Sequence, residues 1–160
     1  MSRAFVKEHD GELPEDLPER PISPHQTFVT ARGQRQIDTR IRELETAREQ
    51  ARIAEDKSSA ARIERDLRYW LQRKSSAKLV QPDPAPTVVR FGVRATIRYE
   101  DSGEERSYTL VGEDEAAPAA GLISWASPIG RALIGAEVGD VVALQERRAE
   151  VLELAAGAAQ

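Results

Sequence analysis

Apolar residues recur at helical spacing in two stretches of the first half of the chain, among positions that are mostly charged or polar. Intervals of four, three and seven residues are typical of the buried face of a coiled-coil helix. These intervals connect Ile37, Ile41, Leu44 and Ala51 in the first stretch and Ile63, Leu67, Trp70 and Ala77 in the second. The pattern predicts one helix over about residues 30–54 and a second that ends near Lys78.

The break between the two seams is short and polar. Residues 55–59 read Glu-Asp-Lys-Ser-Ser, and either Ser58 or Ser59 is the predicted N-cap of the second helix, as Thr30 is of the first. Two seams of equal length joined by such a break predict an antiparallel helical hairpin, a coiled coil, over residues 29–80. A pair this narrow buries little apolar surface, so we expect it to stand on a second domain.

The second half of the chain changes to short runs with partial alternation of apolar and polar residues, the period of a strand with one solvated face. The predicted strands are 93–99, 106–111, 122–125, 141–144 and 149–154, with a turn at 101–104 between the first two. A short helix lies between the third and fourth strands. We therefore expect an α+β protein whose second part is a small antiparallel sheet wrapped around one short helix.

Proline and alanine content suggests where these parts begin and end. Residues 1–28 contain four prolines among mixed charges and predict a flexible acidic arm, although their apolar residues leave a docked arm open. Three prolines within five residues predict a linker over 81–87, which places the β-rich domain at 88–154. The alanine-rich end, 155–160, is predicted to be frayed.

The chain of 160 residues has no cysteine, which excludes disulfides and thiolate metal sites and fits a reducing compartment. Its first residues are too polar for a signal peptide and no apolar run is long enough to span a membrane, so we expect a cytoplasmic protein with no membrane partner. The net charge of −4 divides into −3 for 1–28, +5 for 29–80 and −6 for 81–160. The basic hairpin is either a solvated charged surface or one that approaches nucleic acid or an acidic channel wall.

Catalytic chemistry finds little support in the residue types present. Both histidines, His9 and His25, fall in the predicted arm, and the chain contains neither a G-x-S-x-G elbow nor a phosphate-binding loop. We expect no catalytic residue, no cofactor and no metal site of the protein's own. The acidic run 113–115 is interpreted as a solvated loop, with a patch that meets a basic partner as the alternative.

The most specific motif surrounds the short helix. Ser127 is its predicted N-cap and Pro128 its first residue, an apolar stripe follows at helical spacing, and Gly135 can end it in the left-handed conformation. The order VGEDEA, ISWASPIGRALIG and EVGDVV resembles the C-terminal domain of the Gre transcript-cleavage factors over residues 91–154. That resemblance implies an FKBP-like β-rich domain.

The resemblance also implies a partner, core RNA polymerase, bound near the rim of its secondary channel. The turn before the short helix makes this contact in the Gre family. The matching residues are Ala126, Ser127 and Pro128, with Ile129 and Arg131 nearby. The alternative is that Ser127 and Pro128 serve only to cap the helix, and Trp125 is interpreted as a core residue.

In the Gre family the hairpin tip carries an acidic pair that enters the channel and helps to hold a catalytic Mg²⁺, and Glu55 and Asp56 are the candidates here. The usual tip motif is of the type G-D-x-x-E-N, whereas the position three after Asp56 is Ser59. Each arm is also shorter by about eight residues, a difference in reach of about 12 Å. The short hairpin resembles the regulators of nucleoside diphosphate kinase, a Gre-related group that binds polymerase without cleavage activity.

These features together predict a polymerase-binding transcription regulator, not itself an enzyme, with weak or no stimulation of transcript cleavage and possible indirect contact with RNA. One alternative is a cleavage-stimulating elongation factor that rescues backtracked polymerase. A more distant one is an FKBP-like peptidyl-prolyl isomerase or chaperone. That activity requires an aromatic-lined pocket, for which the domain offers Phe91, Tyr99, Tyr108 and Trp125.

Overall fold

The structure, a computed structural model, describes residues 17–157. The predictions made for residues 1–16, including His9, and for 158–160 lie outside this range. In chain order the elements are β1 (Phe28–Val29), α1 (Ala31–Ile53), α2 (Lys57–Ser76), β2 (Lys78–Leu79), β3 (Val93–Tyr99), β4 (Glu105–Val111), β5 (Leu122–Ser124), α3 (Pro128–Leu133), β6 (Val141–Leu144) and β7 (Arg147–Ala156). Two 3₁₀ turns, Glu113–Glu115 and Pro118–Ala120, lie between β4 and β5. The predicted α+β fold with an N-terminal helical hairpin is confirmed.

The helical hairpin forms because the two predicted seams face each other. Its buried or partly buried apolar residues are Val29, Ile37, Ile41, Leu44, Ile63, Leu67, Trp70 and Ala77. Thr30 caps α1, with its hydroxyl accepting a hydrogen bond from the backbone N–H of Gly33 at 3.1 Å. The predicted caps of α2, Ser58 and Ser59, are wrong. Asp56 caps this helix, because its carboxylate lies three residues before the Ser59 N–H and accepts from it at 3.0 Å.

The sheet has five strands in the order β5-β4-β3-β7-β6. All neighbours are antiparallel except β4 and β5, which run parallel in the register Thr109↔Leu122 to Val111↔Ser124. The expectation of a wholly antiparallel sheet is therefore wrong. Residues 112–121 return the chain through two 3₁₀ turns to a point beside Thr109, so β5 runs alongside the last three residues of β4 in the same direction.

The sheet curls around α3 and encloses its own apolar core. The buried residues of this core are Val89, Ala95, Ile97, Tyr99, Tyr108, Leu110, Ile123, Leu133, Ala136, Leu144, Ala149 and Val151. None of them belongs to the cluster that holds the hairpin together. Two separate cores support the division of the chain into modules at 29–80 and 88–154, with 81–87 between them, and this division remains a proposal.

Residues 17–28, called the N-terminal strap below, contact both the hairpin and the sheet domain and so differ from the predicted flexible arm. Phe28 and Val29 form β1, which pairs in parallel with Lys78 and Leu79 of β2. Thr27 is buried. A two-residue pairing between segments fifty residues apart has no local sequence signal, which is why the pattern did not predict it.

Residues 155–157 belong to the sheet, so the prediction of a frayed end is wrong for them. Ala155 and Ala156 pair with β3 as the last residues of β7, and the backbone N–H of Gly157 donates to the carbonyl of Gly92 at 2.7 Å. Alanine is a poor strand former in isolation, but here the ladder set by β3 extends over it. Within residues 17–157, none of the helices combines the length and the apolar composition needed to cross a membrane.

Candidate functional site

The turn that precedes α3 is built as the sequence predicts. The Ser127 hydroxyl accepts from the backbone N–H of Gly130 at 3.0 Å and donates to the carbonyl of Ser124 at 2.7 Å. Pro128 occupies the first helical position, where no hydrogen bond is lost. Gly135 follows the helix with a φ of 87°, in the left-handed region open to glycine. The local sequence therefore fixes the direction in which this turn leaves the sheet.

The five candidate docking residues are not equally available to a partner. Pro128 and Arg131 are exposed, Ser127 is half-buried with its hydroxyl bonded internally, and Ile129 packs partly against the sheet core. Ala126 is buried. The exposed face of the turn consequently presents a proline ring and a guanidinium group.

Trp125 lies directly before this turn and packs against the sheet core. Its ring meets that of Phe28 with centroids 5.3 Å apart and that of His25 with centroids 5.8 Å apart, both nearly edge to face. Its indole Nε1 is buried and has no hydrogen-bond acceptor within the part of the chain that the structure describes. The N-terminal strap thus covers one side of the tryptophan, with the exposed His25 at its outer edge.

The acidic run Glu113–Glu115, called the latch below, joins the hairpin to the sheet domain. Asp114 accepts from Nε of Arg73 at 2.6 Å and from the Tyr69 hydroxyl at 2.9 Å, and Glu113 lies 3.6 Å from the same guanidinium. The Arg73 side chain is only 2% exposed. The interpretation of this run as a solvated loop is wrong: its basic partner lies within the chain, on α2.

The third latch residue holds the beginning of α1. Glu115 is buried, and its carboxylate accepts from the backbone N–H of Thr30 at 3.1 Å, from the Thr30 hydroxyl, and from the N–H of Gly112 at 3.2 Å. A Cβ atom at Gly33 would collide with this carboxylate. Glycine is therefore required where α1 passes closest to the latch.

Two side chains of α2, Tyr69 and Arg73, stabilise the negative charge of the latch. Burial, together with the hydrogen bond to Asp114, raises the pKa of Tyr69, so its hydroxyl stays protonated and remains a donor. Arg73 then supplies the buried positive charge that faces Asp114 and Glu113. Sequence reasoning missed this role of Arg73. The available signal was its position beside the seam, between Trp70 and Ala77, where an arginine needs a partner to be buried.

The hairpin tip holds the two acidic candidates in different conformations. Glu55 has a φ of 54°, in the left-handed region, and Asp56 is the N-cap of α2. Both side chains are exposed. Hydrogen bonds from the side chain and backbone of Ser59 lower the pKa of Asp56, so this carboxylate is ionised at neutral pH. Among the described residues there is no group of three or more acidic or histidine side chains able to hold a metal ion.

The four aromatic residues proposed for an isomerase pocket do not surround a common space. Phe91 packs against Phe28 with ring centroids 5.7 Å apart, and Phe28 in turn packs against Trp125. Tyr99 and Tyr108 are buried in the sheet core with their hydroxyls 3.1 Å apart. Phe28 of the strap thus occupies the space between two of the four rings.

The fold and this site define a class of protein in which a helical hairpin, latched at its base, projects from a small β-rich domain with a capped and exposed turn. A family model described as "Transcription elongation factor, GreA/GreB, C-term" matches residues 83–155. The transcription elongation factor GreA of Alkalilimnicola ehrlichii is 35% identical over 150 aligned positions, which cover 79% of this chain and 95% of that protein. GreA of Chloroflexus aggregans is 39% identical over 108 positions, covering 65% of this chain and 69% of the relative. The chain belongs to the GreA/GreB family of transcription elongation factors.

Among solved structures, the GreA factor homolog 1 (Gfh1) protein of Thermus thermophilus is 22% identical. The superposition covers 81% of this chain and 99% of that one, with a TM-score of 0.40.

Proposed function

We propose that this protein is a transcription regulator that binds core RNA polymerase at its secondary channel and stimulates transcript cleavage weakly or not at all. Membership of a family named for transcription elongation supports a role on polymerase. The family match covers residues 83–155, which contain α3 and its turn, so docking is assigned to the sheet domain. In this proposal the protein acts by occupying the channel and is not an enzyme in its own right.

The observation that carries the proposal is the commitment of Asp56 to the α2 cap. One of its oxygens accepts from the Ser59 backbone, and the position where a second tip carboxylate is expected is Ser59 itself. Glu55 is adjacent in sequence but sits in a left-handed turn. A neutral hydroxyl is a poor ligand for Mg²⁺, which prefers carboxylates and its own waters. The tip therefore offers weak support to a catalytic ion.

The length of the hairpin also supports weak or no stimulation of transcript cleavage. The 23 residues of α1 span about 35 Å at 1.5 Å per residue. Arms shorter by about eight residues would end about 12 Å before the tip of a longer hairpin docked in the same way. The distance between a metal ion and its ligand atom can vary by only about 0.2 Å. Docking in the family manner would leave Asp56 short of a polymerase-bound ion.

The docking part of the proposal is tested with residues on the exposed face of the turn. Arg131→Ala should weaken binding to core polymerase several-fold without altering the fold, because this side chain is exposed on the outer face of the turn. Arg94→Ala, which removes an exposed arginine from the central strand β3, is the matched control. The double substitution of Ser127 and Pro128 should also weaken binding, but its effect must be read beside a circular dichroism spectrum because Ser127 caps α3. Equal affinities for the Arg131 and Arg94 variants would remove this face from the interface.

The alternative, a cleavage-stimulating elongation factor, is favoured by the similarity to relatives named as transcription elongation factors. It predicts that the charge of Asp56 is essential. Asp56→Asn keeps an oxygen able to cap α2 but removes the charge. Cleavage by the parent protein that disappears in this variant would favour the alternative, whereas little cleavage by either protein agrees with the proposed regulator.

A further inference from the structure

We propose that the N-terminal strap sets the angle at which the helical hairpin projects from the sheet domain, with Glu19 and Arg20 as its positioning residues. The proposal concerns the free protein and stands whether or not the tip acts on polymerase. It rests on the placement of three sets of contacts along the hairpin.

The first set is the latch at the base of the hairpin. Glu115 holds the first residues of α1, and Asp114 holds Arg73 near the end of α2. With the hydrogen bond from Tyr69 to Asp114, these contacts extend over about one turn of α2 at the base of the hairpin. They fix where the hairpin is attached, but they oppose rocking of the hairpin only over that short length.

The second set lies higher on α2 and belongs to the strap. One carboxylate oxygen of Glu19 accepts from Nε and Nη2 of Arg68 at 2.9 and 2.5 Å. The guanidinium of Arg20 lies 3.9 Å from the ring centre of Tyr69 and 3.6 Å from a carboxylate oxygen of Asp66. Asp66 and Arg68 precede Arg73 by five to seven residues, which places this attachment about 7–10 Å closer to the tip than Arg73.

The third set ties the other end of the strap to the sheet domain. The Ser23 hydroxyl donates to Glu113 of the sheet domain at 2.9 Å. Phe28 packs its ring against Phe91 and Trp125. The strap therefore connects the sheet domain to a point on α2 that lies closer to the tip than Arg73. This second connection opposes rotation of the hairpin away from the strap.

A small change in the angle between the hairpin and the sheet domain moves the tip far, because the tip is distant from the point of attachment. Asp56 lies about 17 residues from Arg73 along α2, a distance of about 25 Å. A rotation of about 20° about the latch would move the tip by about 9 Å. In the upper attachment the side chains of Glu19 and Arg68 are 62% and 56% exposed, and the pair of Arg20 with Asp66 is half-buried. Its loss should therefore release the hairpin angle without unfolding either module.

The test measures this angle directly as a distance in the full chain. Since the chain contains no cysteine, Ile53→Cys at the tip and Arg94→Cys on the central strand create two unique sites for spin labels. Both side chains are exposed. Pulsed electron–electron double resonance then gives the distribution of distances between the spin label at the hairpin tip and the one on the sheet.

The strap variant is Glu19→Ala with Arg20→Ala in the labelled chain. The matched control is Arg98→Ala with Glu150→Ala, which removes an exposed ion pair of 2.7 Å inside the sheet. We expect one narrow distribution in the parent and the control, and a distribution broadened or shifted by several ångströms in the strap variant, with an unchanged circular dichroism spectrum. A strap variant with the same distribution as the parent would overturn the proposal, as would a control that broadens equally.

Discussion

Replacement of Asp114 by alanine should destabilise the protein more than any loss of a surface charge, because it removes the main partner of a buried cation. Arg73 is 2% exposed and would keep its hydrogen bond to Thr27, but its only remaining carboxylate contact would be the longer one with Glu113 at 3.6 Å. Breaking one side of a buried ion pair costs about 3–5 kcal/mol. The remaining Glu113 and the 15% exposure of Asp114 reduce the expected loss to about 2–4 kcal/mol.

Urea unfolding measures this loss with two separate signals. The chain has two tryptophans, Trp70 on α2 and Trp125 beside α3, so variants with one of them replaced by phenylalanine report on the hairpin or on the sheet domain. A loss of about 3 kcal/mol lowers a urea midpoint by about 1–2 M. We expect the larger shift in the Trp70 signal, because the latch holds the hairpin.

Two further variants separate charge from packing. Asp114→Asn keeps the shape and one acceptor, so it should cost less than alanine while still leaving the charge of Arg73 poorly balanced. Glu43→Ala removes an exposed pair with Arg40 on α1 and should cost only about 0.2–0.5 kcal/mol. If Asp114→Ala unfolds at the same urea concentration as Glu43→Ala, the latch does not stabilise the hairpin and the reasoning fails.

Gly33→Ala should cost about 1–3 kcal/mol in thermal unfolding, because the added methyl group would displace the carboxylate that holds the start of α1; an unchanged Tm would contradict this. Asp56→Ala should reduce helix content at the tip by circular dichroism, whereas Asp56→Asn should not, and equal losses would argue against the cap. The fragment 87–160 should fold alone and give a dispersed amide NMR spectrum, since the sheet core lies within it, and a collapsed spectrum would mean one shared core. A hydrogen bond from Arg147 lowers the pKa of Asp101 from its ordinary 3.8 to about 2. The stability that this ion pair contributes is complete above pH 3.8 and is lost as the pH falls through about 2. Asp101→Asn should therefore flatten the dependence of the unfolding free energy on pH between these values. The same pH dependence in the variant and the parent would refute this role of Asp101.

Features with local causes could be predicted from the sequence. The two apolar seams predict the hairpin, and the caps at Thr30 and Ser127 place the starts of α1 and α3 to the residue. The alternation in 93–99 gives β3 with its exact bounds. In each case the residues that cause the structure lie within a few positions of it.

Features that depend on distant partners could not be predicted. Arg73 and Asp114 are forty-one residues apart, and nothing near either one indicates the other. The strap is held by contacts of several of its residues with α2 and with the sheet domain, all distant in sequence. Its prolines suggested a loose arm, whereas tertiary packing sets its place in the fold. The parallel pairing of β5 follows from the return path through two 3₁₀ turns, which have no periodic signal. The residues at the candidate docking turn were found by resemblance, and the structure adds which of them are exposed.

The most direct test of the proposed function is a cleavage assay on a stalled, backtracked polymerase complex, with this protein added alone and in competition with a cleavage factor of the same family. We expect little cleavage with this protein alone, no further change with Asp56→Asn, and a concentration-dependent loss of cleavage when it competes with the active factor. Robust cleavage with the parent protein that is abolished by Asp56→Asn would contradict the proposed function and identify a cleavage-stimulating elongation factor.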